Sequence, residues 1–178
     1  EHYRRKAHDL ANVRLALDEL RDLPATTTDG AQITMYANIE LPEEVANVHY
    51  HGGEGIGLFR TEFLYLDRST LPIEEDHLRE YKAVLEGMDG KPVTLRTIDI
   101  GGDKLPDRDA MIPEMNPFMG VRGIRLCLAR PEMFRIQLRA ILLAAAGREV
   151  SIMIPMVSTL KEVRAARQIL NNITEILK

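Results

Sequence analysis

The chain has 178 residues, 45% hydrophobic and 28% charged, with a net charge of −4, which fits one globular domain with a short appendage. Its charges are interleaved, and without a basic stripe no nucleic-acid partner is expected. No apolar run approaches the ~20 residues that span a bilayer, so no membrane association is expected. One cysteine, Cys127, excludes an intrachain disulfide framework and a four-cysteine metal site, and a reducing, cytoplasmic setting is expected. The sequence opens on Glu1 rather than Met, and a piece of a longer protein is expected.

Leu10, Val13, Leu17 and Leu20 recur at helical spacing on a charged background, predicting a helix that ends before Pro24. Residues 1–23 are expected to form a linker helix and 24–178 the main domain. Asp29-Gly30 reads as a tight turn ahead of a strand over 33–39, where Ile33, Met35, Ala37 and Ile39 alternate. Pro42 with Glu43 and Glu44 opens a helix. A second strand is expected over 57–66. Thr70 and Pro72 then launch a helix with Leu78, Tyr81, Leu85 and Met88 on one face. A third strand covers 93–100, followed by a long polar loop to Pro117. Helices are expected over 120–129 and 131–146, with Gly147 as the terminating glycine. A fourth strand spans 150–157, and Thr159 with Glu162 forms a capping box for the last helix.

Alternating strands and helices imply βα units and a parallel sheet. Four units are countable, whereas a closed (β/α)8 barrel needs eight and about 250 residues. An α/β fold is therefore expected, as a small open sheet or half a barrel.

The most informative feature is the placement of arginine. Arg60 and Arg96 fall inside apolar, strand-like runs, where an unpaired guanidinium would be costly to bury. Arg122 and Arg125 follow the long loop at a helix start. On neighbouring parallel strands such arginines converge, and their planar forks suit a phosphate or carboxylate. The competing reading is structural pairing, Arg60 with Glu62 or a nearby acid and Arg96 with Asp99. The glycines of 52–57 precede a strand, so they read as a turn requiring positive φ rather than a dinucleotide loop. Lys104, in the Gly-Gly-Asp-Lys that follows a strand, offers a point charge for phosphate or is a solvated surface lysine. The five histidines carry no nucleophile or metal-ligand signature, and Cys127 reads as an inert packing residue.

Three stretches, Gly-Ile-Gly-Leu-Phe-Arg-Thr-Glu-Phe-Leu-Tyr-Leu-Asp-Arg (55–68), Leu-Arg-Thr-Ile-Asp-Ile-Gly-Gly-Asp-Lys (95–104) and Asn-Pro-Phe-Met-Gly-Val-Arg-Gly-Ile-Arg (116–125), closely resemble enzyme I. That family comprises the phosphoenolpyruvate-protein phosphotransferases of bacterial sugar phosphotransferase systems. The run Ile-Met-Ile-Pro-Met-Val (152–157) is similar to that family's fourth barrel strand.

The resemblance implies the first half of a (β/α)8 phosphoenolpyruvate-binding barrel. It puts the substrate-binding positions on Arg60, Arg96, Lys104 and Arg122, and implies no catalytic or metal-ligating residue in this chain. By the same resemblance, the whole protein passes phosphate from phosphoenolpyruvate to its own histidine and on to a histidine phosphocarrier protein. That carrier would engage a domain upstream of this chain. A half-barrel leaves strand edges and apolar helix faces uncovered, so a homodimer or larger species is expected, and the resemblance implies Mg2+ held by ligands in the second half of the barrel. Two readings stay open beside it. One is the barrel of a related enzyme such as pyruvate phosphate dikinase or phosphoenolpyruvate synthase. The other is a non-catalytic module that binds anions and self-associates.

Overall fold

The computed structural model describes residues 2–66, 68–101, 105, 116 and 120–178, with the backbone alone at position 14. Four parallel strands pair in chain order: β1 (Tyr36–Ile39), β2 (Gly55–Phe59), β3 (Val93–Arg96) and β4 (Val150–Met153). Helices α2 (Val45–Tyr50) and α3 (Glu74–Gly87) make the first two crossovers. The third carries α4 (Ile124–Ala129) and α5 (Pro131–Ala144). Helix α1 (His2–Asp18) precedes the sheet and α6 (Leu160–Ile176) follows it. The expected α/β class with a parallel sheet is what the chain adopts.

In a parallel sheet whose strands pair in sequence order, the right-handed crossovers that such sheets favour would leave the helices on one face. Burial follows that geometry. Along β3, Val93 and Leu95 are buried, while Thr94 and Arg96 on the other face are only half-buried. Tyr81 of α3 stands edge-on to Phe59 of β2, ring centroids 6.3 Å apart. Met133, Phe134, Leu138 and Ile141 bury the inner face of α5. Both outer edges differ from this interior: β4 alternates half-buried and exposed residues, and Tyr36 and Asn38 of β1 are exposed.

Several elements are shorter than the sequence predicts. The first strand begins at Tyr36 rather than at Ile33, because residues 25–33 close a small hairpin of their own. In it Thr26 bridges Gln32, and Gly30 turns at φ 87°. Pro42–Glu44 is a 3-10 turn that leads into α2, with Glu44 accepting the backbone N–H groups of Glu40 (2.8 Å) and Leu41 (2.9 Å). The second strand is Gly55–Phe59, not 57–66, and a 3-10 turn at Glu62–Leu64 follows it.

The glycine run is only partly a turn. Gly52 takes φ 72° after α2, whereas Gly55 lies inside β2, where a Cβ would sit 2.8 Å from the Pro92 carbonyl and 2.9 Å from the Tyr36 ring. Close approach of neighbouring chains, not positive φ, requires glycine at 55. The third and fourth strands stop at Arg96 and Met153, since residues beyond them turn away from the ladder while Ile98 and Ile100 remain buried.

Other expectations hold at the residues named. Gly147 adopts φ 73° just past α5. Thr159 Oγ1 accepts the Glu162 N–H at 3.3 Å, and Glu162 accepts the Thr159 N–H at 2.7 Å, completing the capping box. The N-terminal helix forms, but Leu10, Val13, Leu17 and Leu20 are all exposed.

Candidate functional site: an arginine and carboxylate cluster at the strand ends

Arg60 follows the last residue of β2, and Arg96 is the last residue of β3. Their predecessors Phe59 and Leu95 are register partners, and both are buried. Because successive strand side chains alternate faces, Arg60 and Arg96 leave the sheet on the side opposite that apolar pair. Both stand at the C-terminal end of the sheet, the end where the loops of parallel α/β folds assemble sites.

Each guanidinium is held by carboxylates from the same edge. Arg60 pairs through Nη2 with Glu40, the residue after β1. Arg96 donates from Nη2 to Glu62 Oε1 at 3.0 Å, and its Nη1 lies 3.3 Å from Asp99 Oδ2. Glu62 Oε1 also accepts the Asp99 backbone N–H at 2.9 Å. Arg122 donates from Nε to Asp99 Oδ1 at 3.1 Å and from Nη2 to the Asp99 carbonyl at 2.8 Å. An antiparallel bridge between Gly101 and Arg122 fixes that approach.

The structure thus links Arg96 and Arg122 through Asp99 and sets Arg60 beside them on the adjoining strand end. Arg125 donates from Nη1 to the Gly120 carbonyl at 2.8 Å. Lys104, the remaining sequence-predicted position, lies outside the described residues.

Structural pairing therefore accounts for part of what the guanidiniums do: Arg96 pairs with Asp99 as expected, and Arg60 pairs with a nearby acid, though not with Glu62. Glu62 serves Arg96 rather than Arg60, and Arg60 takes Glu40 from the neighbouring strand end. Sequence distance hides that partner, because parallel pairing brings residues twenty apart to the same edge.

The pairing is incomplete. Nε of Arg60 and Nε of Arg96 are both shielded from solvent and find no acceptor among the described residues. Such a donor costs about 1–3 kcal/mol when left unmet. The Arg96, Glu62, Asp99 and Arg122 side chains are 14–22% exposed, whereas Arg60 and Glu40 are above 40%. Arg96 is thus the shielded centre of the cluster and Arg60 its open margin. With three arginines set against three acids, an incoming anion must bind through the remaining N–H directions or displace a carboxylate.

Beneath the cluster runs a buried polar network that sequence reasoning missed. Gln137 of α5 donates to Thr61 Oγ1 and to Tyr81 Oη, both at 3.1 Å, and accepts the Ile98 N–H at 3.1 Å. Thr61 Oγ1 in turn donates to the Arg96 carbonyl at 2.9 Å. Tyr81 Oη lies 2.9 Å from His77 Nδ1, and Tyr65 Oη is 3.4 Å from His77 Nε2.

Burial pushes the His77 imidazole down to about 4, and it pushes the Tyr81 and Tyr65 phenols up. The available signal was the i, i+4 pair of His77 and Tyr81 on an apolar face of α3, with Gln137 on the apolar face of α5. Cys127 is fully buried and its thiol is pushed up to about 12 by that burial, which fits a packing residue. Among the described residues, no group of three or more His, Cys, Asp or Glu is placed to hold a metal ion. No helix among them is long and apolar enough to cross a membrane.

Residues 14–178 match the family described as PEP-utilising enzyme, PEP-binding domain, and the chain belongs to that family. It is similar to several curated proteins named phosphoenolpyruvate-protein phosphotransferase. The identity is 50% over 169 residues with that of Staphylococcus epidermidis, covering 94% of this chain and 29% of the relative. It is 48% over 166 residues with that of Enterococcus faecalis, covering 92% and 29%. With that of Listeria monocytogenes it is 46% over 169 residues, covering 95% and 30%. The chain spans a little under a third of the length of these relatives.

Proposed function

We propose that this family member is the phosphoenolpyruvate-binding part of a phosphoenolpyruvate-protein phosphotransferase, built as the first half of a (β/α)8 barrel behind a linker helix at 1–23. The observation that carries the reading is the gathering of Arg60, Arg96 and Arg122 at one end of a parallel sheet, in a chain half identical to proteins of that name. A carboxylate and a phosphate on one small substrate would be held by planar guanidinium forks, with Arg60 at the open margin receiving and Arg96 orienting. Lys104 would add a point charge beside the phosphate. The names of the relatives favour this reading over a pyruvate phosphate dikinase or phosphoenolpyruvate synthase barrel.

The half-barrel reading is supported by strand order and by the two open edges. Past β4 an apolar groove of about 370 Å³ is lined by Ile152, Ile154, Val157, Val163, Ala166 and Leu170. Four further βα units would cover it and close the sheet. In the whole protein, phosphate would pass from phosphoenolpyruvate to a histidine upstream and then to a histidine phosphocarrier protein. The setting would be the cytoplasm and the protein a homodimer.

The parent enzyme is expected to use Mg2+, but the described residues do not supply a ligand set for it. The 178-residue chain alone would then bind phosphoenolpyruvate without turning it over. Isothermal titration should show weak binding that fades with added salt, and a coupled assay with Mg2+ present should detect no pyruvate. Pyruvate formation by the purified chain would overturn the assignment of the chemistry to segments beyond it.

A further inference from the structure

We infer that Gln137, one layer behind the arginines on α5, is a positioning residue that sets the anion affinity of Arg60 and Arg96. The inference rests on the proposed binding site and adds to it a device for holding that site in shape. Gln137 is fully buried, and its side chain makes three hydrogen bonds, to Thr61, Tyr81 and the Ile98 N–H. Turning the amide over would set its NH2 group against the Ile98 N–H and its oxygen against the groups it now donates to, so the network fixes its orientation.

Two of the three contacts reach the segments that carry the cluster. Thr61 lies between Arg60 and Glu62, while Ile98 lies between Arg96 and Asp99. Thr61 Oγ1 accepts from Gln137 and donates to the Arg96 carbonyl, so one amide ties the end of β2 to the end of β3. Glu62 and Asp99 then meet over Arg96. Without the tie, the two segments keep the β2–β3 ladder below them and that partly exposed ion-pair layer to fix the spacing of their guanidiniums. A fork that binds an anion through paired N–H groups depends on such spacing.

The third contact provides an internal control. Tyr81 takes the other Gln137 proton, and its hydroxyl also faces Thr61 and lies 2.9 Å from His77 Nδ1, while the bond to the Arg96 carbonyl is made by Thr61. Removing its hydroxyl would disturb the same buried network without cutting the tie.

The test uses the full 178-residue chain, titrated with inorganic phosphate and with phosphoenolpyruvate. Binding is read from the NMR signals of the arginine Nε–H groups, and stability from thermal unfolding of the same samples. Gln137→Met and Thr61→Val should weaken binding about tenfold, and Thr61→Ser should restore it. Tyr81→Phe should lower the melting temperature while leaving affinity within about twofold of the parent.

If Gln137→Met does not fold, the Thr61→Val and Thr61→Ser pair still decides. Parent-like binding in Thr61→Val, or affinity that falls in Tyr81→Phe in step with stability, would overturn the positioning role. Parent-like binding in Arg60→Ala and Arg96→Ala would instead sink the binding site beneath it, a separate result.

Discussion

At the scale of single residues, the buried imidazole makes a prediction the arginines do not. His77 sits between Tyr65 and Tyr81, and desolvation holds its pKa near 4, with Asp76 opposing the shift and Arg68 adding to it. The unfolded chain, with a pKa near 6.5, therefore takes up a proton that the folded chain resists. Stability should fall as pH drops from about 6.5 to about 4 and level off below, a loss of roughly 3 kcal/mol.

Carboxylates such as Asp76 and Glu44, whose hydrogen bonds hold them below their ordinary values of 3.8 and 4.5, lose their contribution mainly at lower pH. Denaturant unfolding of the parent and of His77→Phe, repeated between pH 7 and 4, separates the two windows. The variant should lose most of the slope above pH 4.5, and an unchanged slope would show that His77 is not the titrating group. Arg60 and Arg96 were legible in the sequence because a guanidinium in an apolar strand run demands a partner. Asp99 was legible as a partner of Arg96, but Glu40 was not as that of Arg60, since it reaches Arg60 only through the pairing of β1 with β2.

At the scale of elements, Gly123 couples the arginine loop to the last strand. It adopts φ 54° and ψ −131° at the start of α4, a region open in practice only to glycine. A Cβ there would stand 2.9 Å from Met156 Cγ and 3.1 Å from the Pro155 carbonyl. The Ile124 N–H donates to that same carbonyl at 3.2 Å, so the helix start is pinned beyond the end of β4 with Arg122 just before it. Gly123→Ala should cost about 1–3 kcal/mol in backbone strain alone. Thermal unfolding should show a clear drop in melting temperature, whereas Gly147→Ala, which meets nothing within 4 Å, should cost less.

The elements themselves were readable from periodicity, but their ends were not. Ile98 and Ile100 continue an apolar alternation past the hydrogen-bonded ladder and stay buried, whereas Ile33 alternates in sequence yet is exposed. Alternation there reports burial beyond pairing at one strand and neither at the other.

At the scale of the whole molecule, the described residues have the order of a parallel α/β unit without closure. Leu160 and Val163 are exposed beside the groove past β4, and the outer edge of β1 is open at the opposite side. Unpaired strand edges and contiguous apolar surface favour association. The 178-residue chain should sediment as dimers or larger species at high concentration and should bind a hydrophobic dye. A persistent monomer that leaves the dye dark would contradict this.

The order of the motifs along the chain made the class of fold readable, because strand, arginine and loop recur in register with the βα period. The buried network joining Gln137, Thr61 and Tyr81 was not, since it draws on residues 61 to 137 and gives no local pattern.

The central claim is that Arg60 and Arg96 together bind phosphoenolpyruvate. Isothermal titration of phosphoenolpyruvate into the parent chain, Arg60→Ala and Arg96→Ala at low ionic strength tests it most directly. Each substitution should weaken binding by about tenfold or more, with the parent's affinity falling as salt is raised. Equal affinity in all three chains, or binding indifferent to both substitutions and salt, would contradict the site.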